Sequence, residues 1–192
     1  MNIESYRVSL LFLFLFLLAV TSVAVADRDD DRGEHFFSRW FKHEMKVNNP
    51  EQRKLYQEEC GSCHFPFQPG FLPVQSWREM MLNLDDHFGE NAELEDEERD
   101  RLLGYLTSNS ADRINAEIPN KVMWSLRYKP SPKRITETAF FRHEHDEIPS
   151  RVMQRLKDKV SFSNCDGCHT RAMQGSYDEH EIDIPGMGPW DD

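Results

Sequence analysis

Apolar residues along this chain recur at the three- and four-residue spacing of helices, in short segments separated by loops. The pattern predicts helices over residues 34–47, 49–59, 76–87, 91–108 and 150–160. Hardly any stretch alternates apolar and polar residues as a half-buried strand would. We therefore expect a mostly α-helical chain of short helices and long loops.

Local signals predict where several of these helices begin and end. Pro50 stands at the first position of its helix, where a missing N–H is tolerated. Ser76 and Glu79 have the spacing of a capping box, which predicts a helix beginning at Ser76. Gly89 predicts that this helix stops just after His87.

Proline and glycine mark the predicted loops. Residues 65–73 contain three prolines and a glycine, and the tail from Gln174 is also rich in both residue types. Residues 111–141 contain three prolines as well, so we expect a connection with at most a short helix over residues 122–126.

The longest apolar run lies close to the start of the sequence. Residues 10–20 are all apolar, with Arg7 before them and Ala24-Val25-Ala26 after them. A basic residue, a short apolar core and a small-x-small site are typical of a signal peptide, so residues 1–26 are expected to be cleaved after Ala26 during export to the periplasm. The alternative is an uncleaved anchor, because residues 8–26 could just span a bilayer.

The formal net charge of −11 narrows the possible partners. Nucleic-acid binding depends on basic contacts to phosphate, so a chain this acidic is not expected to bind nucleic acid. An acidic protein is instead suited to basic partners reached by electrostatic steering. Residues 27–192 are short enough for one domain.

The four cysteines form two complete Cys-x-x-Cys-His motifs. Cysteines three apart lie on one side of a helical turn, where each can bond a haem vinyl group, and the next histidine can ligate the iron. The pattern therefore predicts two covalently attached c-type haems. The attaching residues are Cys60, Cys63, Cys165 and Cys168, and the proximal ligands are His64 and His169.

Three other uses of cysteine compete with haem attachment. Disulfides are common in exported chains, but they do not require a histidine after each pair. Zinc ribbons separate their cysteine pairs by about 15–20 residues, far fewer than the interval between Cys63 and Cys165. A thioredoxin-like pair needs a βαβ context, which the pattern does not predict.

Candidate sixth ligands of the first haem lie soon after its attachment motif in the sequence. His87 follows His64 by 23 residues, at the predicted helix end. A histidine there could also simply interact with the helix dipole. Met80 and Met81 are alternative ligands, although methionines at helical spacing are more often core residues.

The second haem has three candidate sixth ligands: His143, His145 and His180. His145 precedes His169 by 24 residues, and a loop and helix between them could place the two on opposite haem faces. His143 and His145 are two positions apart and would face differently, so only one is expected to ligate. His35 and His43 lie in the predicted helix over residues 34–47, which is expected at the surface, and are weaker candidates.

Several blocks of this sequence resemble the bacterial dihaem cytochromes c. Besides the attachment motifs, the resemblance lies in residues 72–73, 76–81, 87–92, 134–138 and 145–148. The His87-Phe88-Gly89 and 135–138 blocks narrow it most, because many cytochromes share the attachment motif alone.

This resemblance implies bis-histidine haems, with His87 and His145 at the distal positions. It also implies electron transfer to a redox partner protein, such as a membrane b-type cytochrome or a soluble haem protein, with no small-molecule substrate. The first haem would occupy the half at about residues 34–110, and the second the half at about 111–192. The alternative function is a dihaem peroxidase-like enzyme or a gas-binding haem protein, which needs one open iron site.

Overall fold

The computed structural model describes residues 49–127 and 129–190. The predicted signal peptide and the predicted helix over residues 34–47 lie outside the described residues. Among the described residues, no helix is long and apolar enough to cross a membrane.

Six short α-helices and one pair of very short strands make up the regular structure of the described chain. The helices are α1 (Pro50–Glu59), α2 (Val74–Met81), α3 (Asp96–Ser108), α4 (Glu117–Leu126), α5 (Ala139–His143) and α6 (Ser150–Leu156). Strands β1 (Asp183–Ile184) and β2 (Gly188–Pro189) pair antiparallel, with Asp183 opposite Pro189. Single 3-10 turns occupy much of the rest, so the predicted mostly α chain with long loops is confirmed.

Helix α1 begins as the sequence predicts. The Asn49 side chain accepts a hydrogen bond from the backbone N–H of Gln52 at 3.2 Å, and Pro50 follows in the first turn. Its end runs directly into the first cysteine motif, because the backbone N–H of Cys60 still donates to the Tyr56 carbonyl. A capped helix therefore fixes the position of that motif.

The predicted bounds of α2 are wrong at both ends. The helix begins at Val74, whose N–H donates to Asp112 Oδ1 at 2.8 Å, so Asp112 acts in place of the expected Ser76 cap. It ends at Met81, because the side chain of Asn83 donates to the Glu79 carbonyl at 2.6 Å and competes with the helical pattern. His87 consequently lies in a turn beyond the helix.

Three other predicted helix bounds also differ. Helix α3 starts later than expected, because the Asn91 side chain accepts from the Glu93 N–H at 2.8 Å and forms a turn. Helix α4 is longer, since Pro119 lies in its first turn, where proline is tolerated. Helix α6 stops at Leu156, and the short helix α5 at the end of the expected connection was not predicted.

Two apolar clusters of unequal size lie inside this fold. The main core joins α1 to α5 around thirteen buried residues of the described chain, among them Tyr56, Trp77, Leu102, Tyr105 and Val122. The second cluster has only three buried residues, Val152, Leu156 and Ile184, with Cys168 and Trp190 packed against it. The first motif thus adjoins a large core and the second a small one.

Candidate haem sites

The first motif occupies a 3-10 turn at the end of α1. This turn spans Cys60–Ser62, and the Ser62 hydroxyl donates to the Glu59 carbonyl at 2.8 Å. Cys60 packs against the main core, whereas Cys63 is exposed. The turn therefore presents one cysteine towards the interior and one towards the surface.

The second motif adopts the same local structure without a helix before it. Its 3-10 turn spans Cys165–Gly167, and the backbone N–H of His169 donates to the Cys165 carbonyl at 2.8 Å. A Cβ atom on Gly167 would lie 2.8 Å from Val160 Cγ1, so a side chain there would force a shift. His169 also forms a β-bridge with Ile182, which ties the motif to the C-terminal segment.

All four motif cysteines are free thiols, so neither motif is closed by a disulfide. Burial, followed by the charge of a neighbouring acidic residue, raises the pKa of Cys60 and of Cys165 to about 12. Burial therefore favours the protonated thiol at both motifs.

Each motif histidine faces one other histidine. The ring centroids of His64 and His87 lie 6.0 Å apart with their planes 16° from parallel. The ring centroids of His145 and His169 lie 6.1 Å apart, but their planes are 75° apart. We call the first pair with Cys60 and Cys63 site 1. The second pair with Cys165 and Cys168 is site 2.

These separations fit a metal ion between the rings. A metal–imidazole bond is about 2 Å long, so two such bonds in line place the ring centroids about 6 Å apart. Two imidazoles at that distance, beside two free thiols, form the donor set that a covalently attached haem requires. The residues present therefore fit a haem at both sites.

Hydrogen bonds leave the metal-binding nitrogen available on one histidine of each pair. His64 Nδ1 lies 2.8 Å from the Phe65 carbonyl, and His145 Nδ1 lies 2.8 Å from the Phe141 carbonyl. Since a carbonyl only accepts, each Nδ1 carries the proton and Nε2 keeps its lone pair. This arrangement is usual for metal-bound histidine. By contrast, His169 Nδ1 is buried and has no hydrogen-bond partner among the described residues.

Three of the four histidines are held in the neutral form. Burial lowers the pKa of His87, with smaller contributions from His64 and the Arg134 guanidinium. Burial also lowers the pKa of His145, and it lowers that of His169 to about 4. Neutral imidazole is the form that ligates a metal.

The other candidate ligands lie elsewhere. His143 is exposed and lies 3.6 Å from Asp146 Oδ2, and His180 Nδ1 lies 2.9 Å from Asp178 Oδ1. Met81 is buried in the main core and Met80 packs against it. His35 and His43 lie outside the described residues.

Sequence reasoning missed the residues that orient these histidines. The Phe141 ring stacks on His145 with centroids 4.0 Å apart, and the Tyr177 ring contacts His169 at 5.2 Å. The Arg134 guanidinium lies 3.8 Å above the ring of Phe88, which neighbours His87. The four-residue spacing of Phe141 and His145 was a usable signal. The other two contacts depend on the fold.

Comparison with known proteins gives a consistent result. A family model described as dihaem cytochrome c matches residues 56–177. A dihaem cytochrome c from Shewanella baltica is 38% identical, with a TM-score of 0.60, over 73% of this chain and 98% of that one. One from Rhodobacter sphaeroides is 32% identical, with a TM-score of 0.59, over 69% of this chain and 100% of that one. No curated protein sequence matches.

Both lines of observation lead to the same family. The two motifs, each with free thiols and a paired histidine, meet the chemical requirements of a haem c site. The family model covers both motifs and most of the chain between the first helix and the C-terminal segment. This chain therefore belongs to the dihaem cytochrome c family and carries two covalently bound haem c groups.

Proposed function

We propose that this protein transfers electrons between redox proteins, using two low-spin haems that are each ligated by two histidines. His64 and His87 are the proposed axial ligands at site 1, and His169 and His145 at site 2. No small-molecule substrate is expected, because an iron with two protein ligands has no free position for one.

One observation carries this proposal. Each motif histidine faces a second imidazole at 6.0 or 6.1 Å, and neither methionine near site 1 takes that place. A peroxidase-like or gas-binding protein would require one iron with an open or displaceable sixth position. The equal separations at both sites support electron transfer over that alternative.

The chain's own residues keep the ligands in place and set their electronic character. A bound haem supplies one-electron chemistry at its iron. The Phe65 and Phe141 carbonyls accept hydrogen bonds from the Nδ1–H groups of His64 and His145, which fixes the ring tautomer and makes each ligand more basic. Two histidine ligands should give lower potentials than a histidine and a methionine would.

The proposed partner is another redox protein outside the cytoplasm. Export is proposed from the apolar run and the Ala24-Val25-Ala26 site, with cleavage after Ala26 and release to the periplasm. A membrane b-type cytochrome or a soluble haem protein is the proposed class of partner, and the net charge of −11 favours one with a basic docking face. N-terminal sequencing of the mature protein should begin at Asp27. Recovery with Met1 retained in the membrane fraction would contradict cleavage.

Carbon monoxide tests the functional proposal directly. The reduced protein should show no change in its visible spectrum when carbon monoxide is added, because both irons already have two protein ligands. Rapid formation of a carbon monoxide complex at one haem in the unmodified protein would contradict the proposal. That result would favour the peroxidase-like or gas-binding alternative.

A further inference from the structure

The turn that carries His87 has an unusual residue at its second position. His87 and Glu90 form a β-bridge, with the His87 N–H 2.8 Å from the Glu90 carbonyl. Between them, Phe88 has φ +60° and Gly89 has φ +99°. Positive φ at both central positions is the pattern of a type I′ turn, which strongly favours asparagine or glycine at each. A bulky residue there is strained.

Phe88 is also a poor choice for a surface position. Its side chain is 43% exposed and lies outside the main core. A bulky side chain on backbone with positive φ lowers stability, and such strain is typical of functional positions. The contacts of the ring indicate what that function is.

The Phe88 ring lies between the ligand histidine and a cation from a distant part of the chain. Its centroid is 4.8 Å from that of His87, with the two planes 62° apart. The Arg134 guanidinium lies 3.8 Å from the centroid of the Phe88 ring, a cation–π distance. Three groups in contact thus run from the surface to the imidazole of site 1.

Arg134 is itself held by the segment that leads to site 2. It precedes the 3-10 turn Ile135–Glu137, whose Ile135 is buried in the main core. Thr138 follows and caps α5, accepting from the Phe141 N–H at 3.0 Å. Phe141 then stacks on His145. One short segment therefore contacts the turn of His87 at one end and His145 at the other.

We propose that Arg134 and Phe88 are positioning residues that clamp His87 in its ligating orientation at site 1. The stacked guanidinium restricts the Phe88 ring, and the ring restricts rotation of the imidazole beside it. Arg134 also brings a positive charge close to site 1, which favours the reduced iron there. This inference rests on the proposed assignment of His87 as the distal ligand.

The clamp can be tested by an external ligand that competes with His87. Cyanide binds only when His87 is detached, so its apparent affinity at site 1 rises in proportion to the detached fraction. An exposed cation–π contact corresponds to a change of about two- to fivefold in that fraction. Arg134→Gln and Phe88→Asn should each raise the cyanide affinity of the holoprotein at site 1 by this factor.

Phe88→Asn separates positioning from ordinary stability. Asparagine suits the positive φ of the turn better than phenylalanine does, so this variant should unfold at the same or a higher temperature than wild type. If Phe88 had a purely structural role, cyanide affinity would rise only in a variant that unfolds at a lower temperature. The clamp instead predicts weaker ligation in a protein that is at least as stable.

The chain offers a matched control for Arg134. Arg127 lies 3.9 Å from the ring centroid of Trp124, the same type of contact, and no ring contact joins Trp124 to a site histidine among the described residues. Arg127→Gln should leave cyanide affinity unchanged. Glu137→Gln, which removes the 3.8 Å ion pair with Arg134 but keeps the stack, should also leave it unchanged.

The redox potential gives a second readout that a structural role would not move. Arg134→Gln should lower the potential of site 1 and leave that of site 2 unchanged, while Arg134→Lys should retain most of the potential because it keeps the charge. Wild-type cyanide affinity in both Arg134→Gln and Phe88→Asn, while His87→Ala binds cyanide freely at site 1, would overturn the clamp alone. Failure of His87→Ala to open site 1 would overturn the ligand assignment, and the clamp with it.

Discussion

Sites 1 and 2 share a sequence motif and a ring separation, yet the contacts that hold their histidines differ. In site 1 the motif histidine has the carbonyl-bound Nδ1, and His87, which faces it, sits on an exposed turn. In site 2 the facing histidine, His145, has the carbonyl-bound Nδ1 and stacks on Phe141. Nδ1 of the motif histidine has no hydrogen-bond partner among the described residues. The carbonyl hydrogen bond thus holds the motif histidine in site 1 and the other histidine of the pair in site 2.

The difference in ring angle has an electronic consequence. Nearly parallel imidazoles, as in site 1 at 16°, interact with the same iron d orbital and separate it in energy from its partner. Nearly perpendicular imidazoles, as in site 2 at 75°, act on two different d orbitals and leave them close in energy. We therefore expect the oxidised haems to have distinct magnetic properties, with the larger anisotropy at site 2.

The largest expected effect comes from removing one haem at a time. Replacing Cys165 and Cys168 with Ser should unfold the C-terminal segment, because its buried cluster among the described residues is small, consisting of Val152, Leu156 and Ile184. The matched change at Cys60 and Cys63 should leave more structure, since the main core has thirteen buried residues. Amide hydrogen exchange followed by mass spectrometry measures this directly. Equal loss of protection in both variants would contradict the comparison.

Removing one distal ligand should open one haem only. His87→Ala should give a high-spin signal and carbon monoxide binding at site 1, and His145→Ala should do the same at site 2. In each case the thioether bonds and the proximal histidine remain. His143→Ala and His180→Ala are the controls, because their rings pair with Asp146 and Asp178 instead. If His143→Ala opened site 2, the sixth ligand there would be His143 and not His145.

A smaller effect is expected at the contact between the first motif's loop and the C-terminal segment. The Tyr177 hydroxyl donates to Gln68 Oε1, and the Gln68 side chain donates to the Ala172 carbonyl at 2.5 Å. Tyr177→Phe leaves the buried Gln68 oxygen without a donor, which should lower the free energy of unfolding by about 1–3 kcal/mol. Urea titration measures this loss. A low-spin spectrum that stays unchanged would show that Tyr177 stabilises the fold without ligating.

The smallest expected effect concerns ring orientation in site 2. Phe141→Leu removes the stacked ring from His145 but keeps the backbone carbonyl that accepts from its Nδ1. The imidazole then gains freedom to rotate, so the magnetic anisotropy of site 2 alone should change, as measured by electron paramagnetic resonance. Phe162→Leu is the control, because that ring meets His145 edge-on at 5.7 Å. The same change in both variants would argue against stacking as the cause.

The sequence predicted the local chemistry better than the helix bounds. The attachment motifs and the start of α1 follow from residues close together in the chain, where spacing and capping act directly. The predicted start of α2 was wrong because its cap, Asp112, lies 38 residues from Val74. Pro119 suggested a loop, although it lies in a helix's first turn, where it is tolerated.

Which histidines pair could be predicted only in part. His87 was the leading candidate at site 1, although the expected helix around it ends at Met81 and a turn carries the residue instead. At site 2, spacing left His143, His145 and His180 open, and tertiary contacts bring His145 to His169. The contact of Arg134 with Phe88 joins positions 46 residues apart, which no local pattern encodes.

Electron paramagnetic resonance of the fully oxidised protein tests the central claim most directly. Two histidine ligands at each iron predict two low-spin ferric signals of equal weight, the more anisotropic one belonging to site 2. His87→Ala should remove the less anisotropic signal and His145→Ala the more anisotropic one. A high-spin ferric signal that accounts for one haem in the unmodified protein would contradict the account.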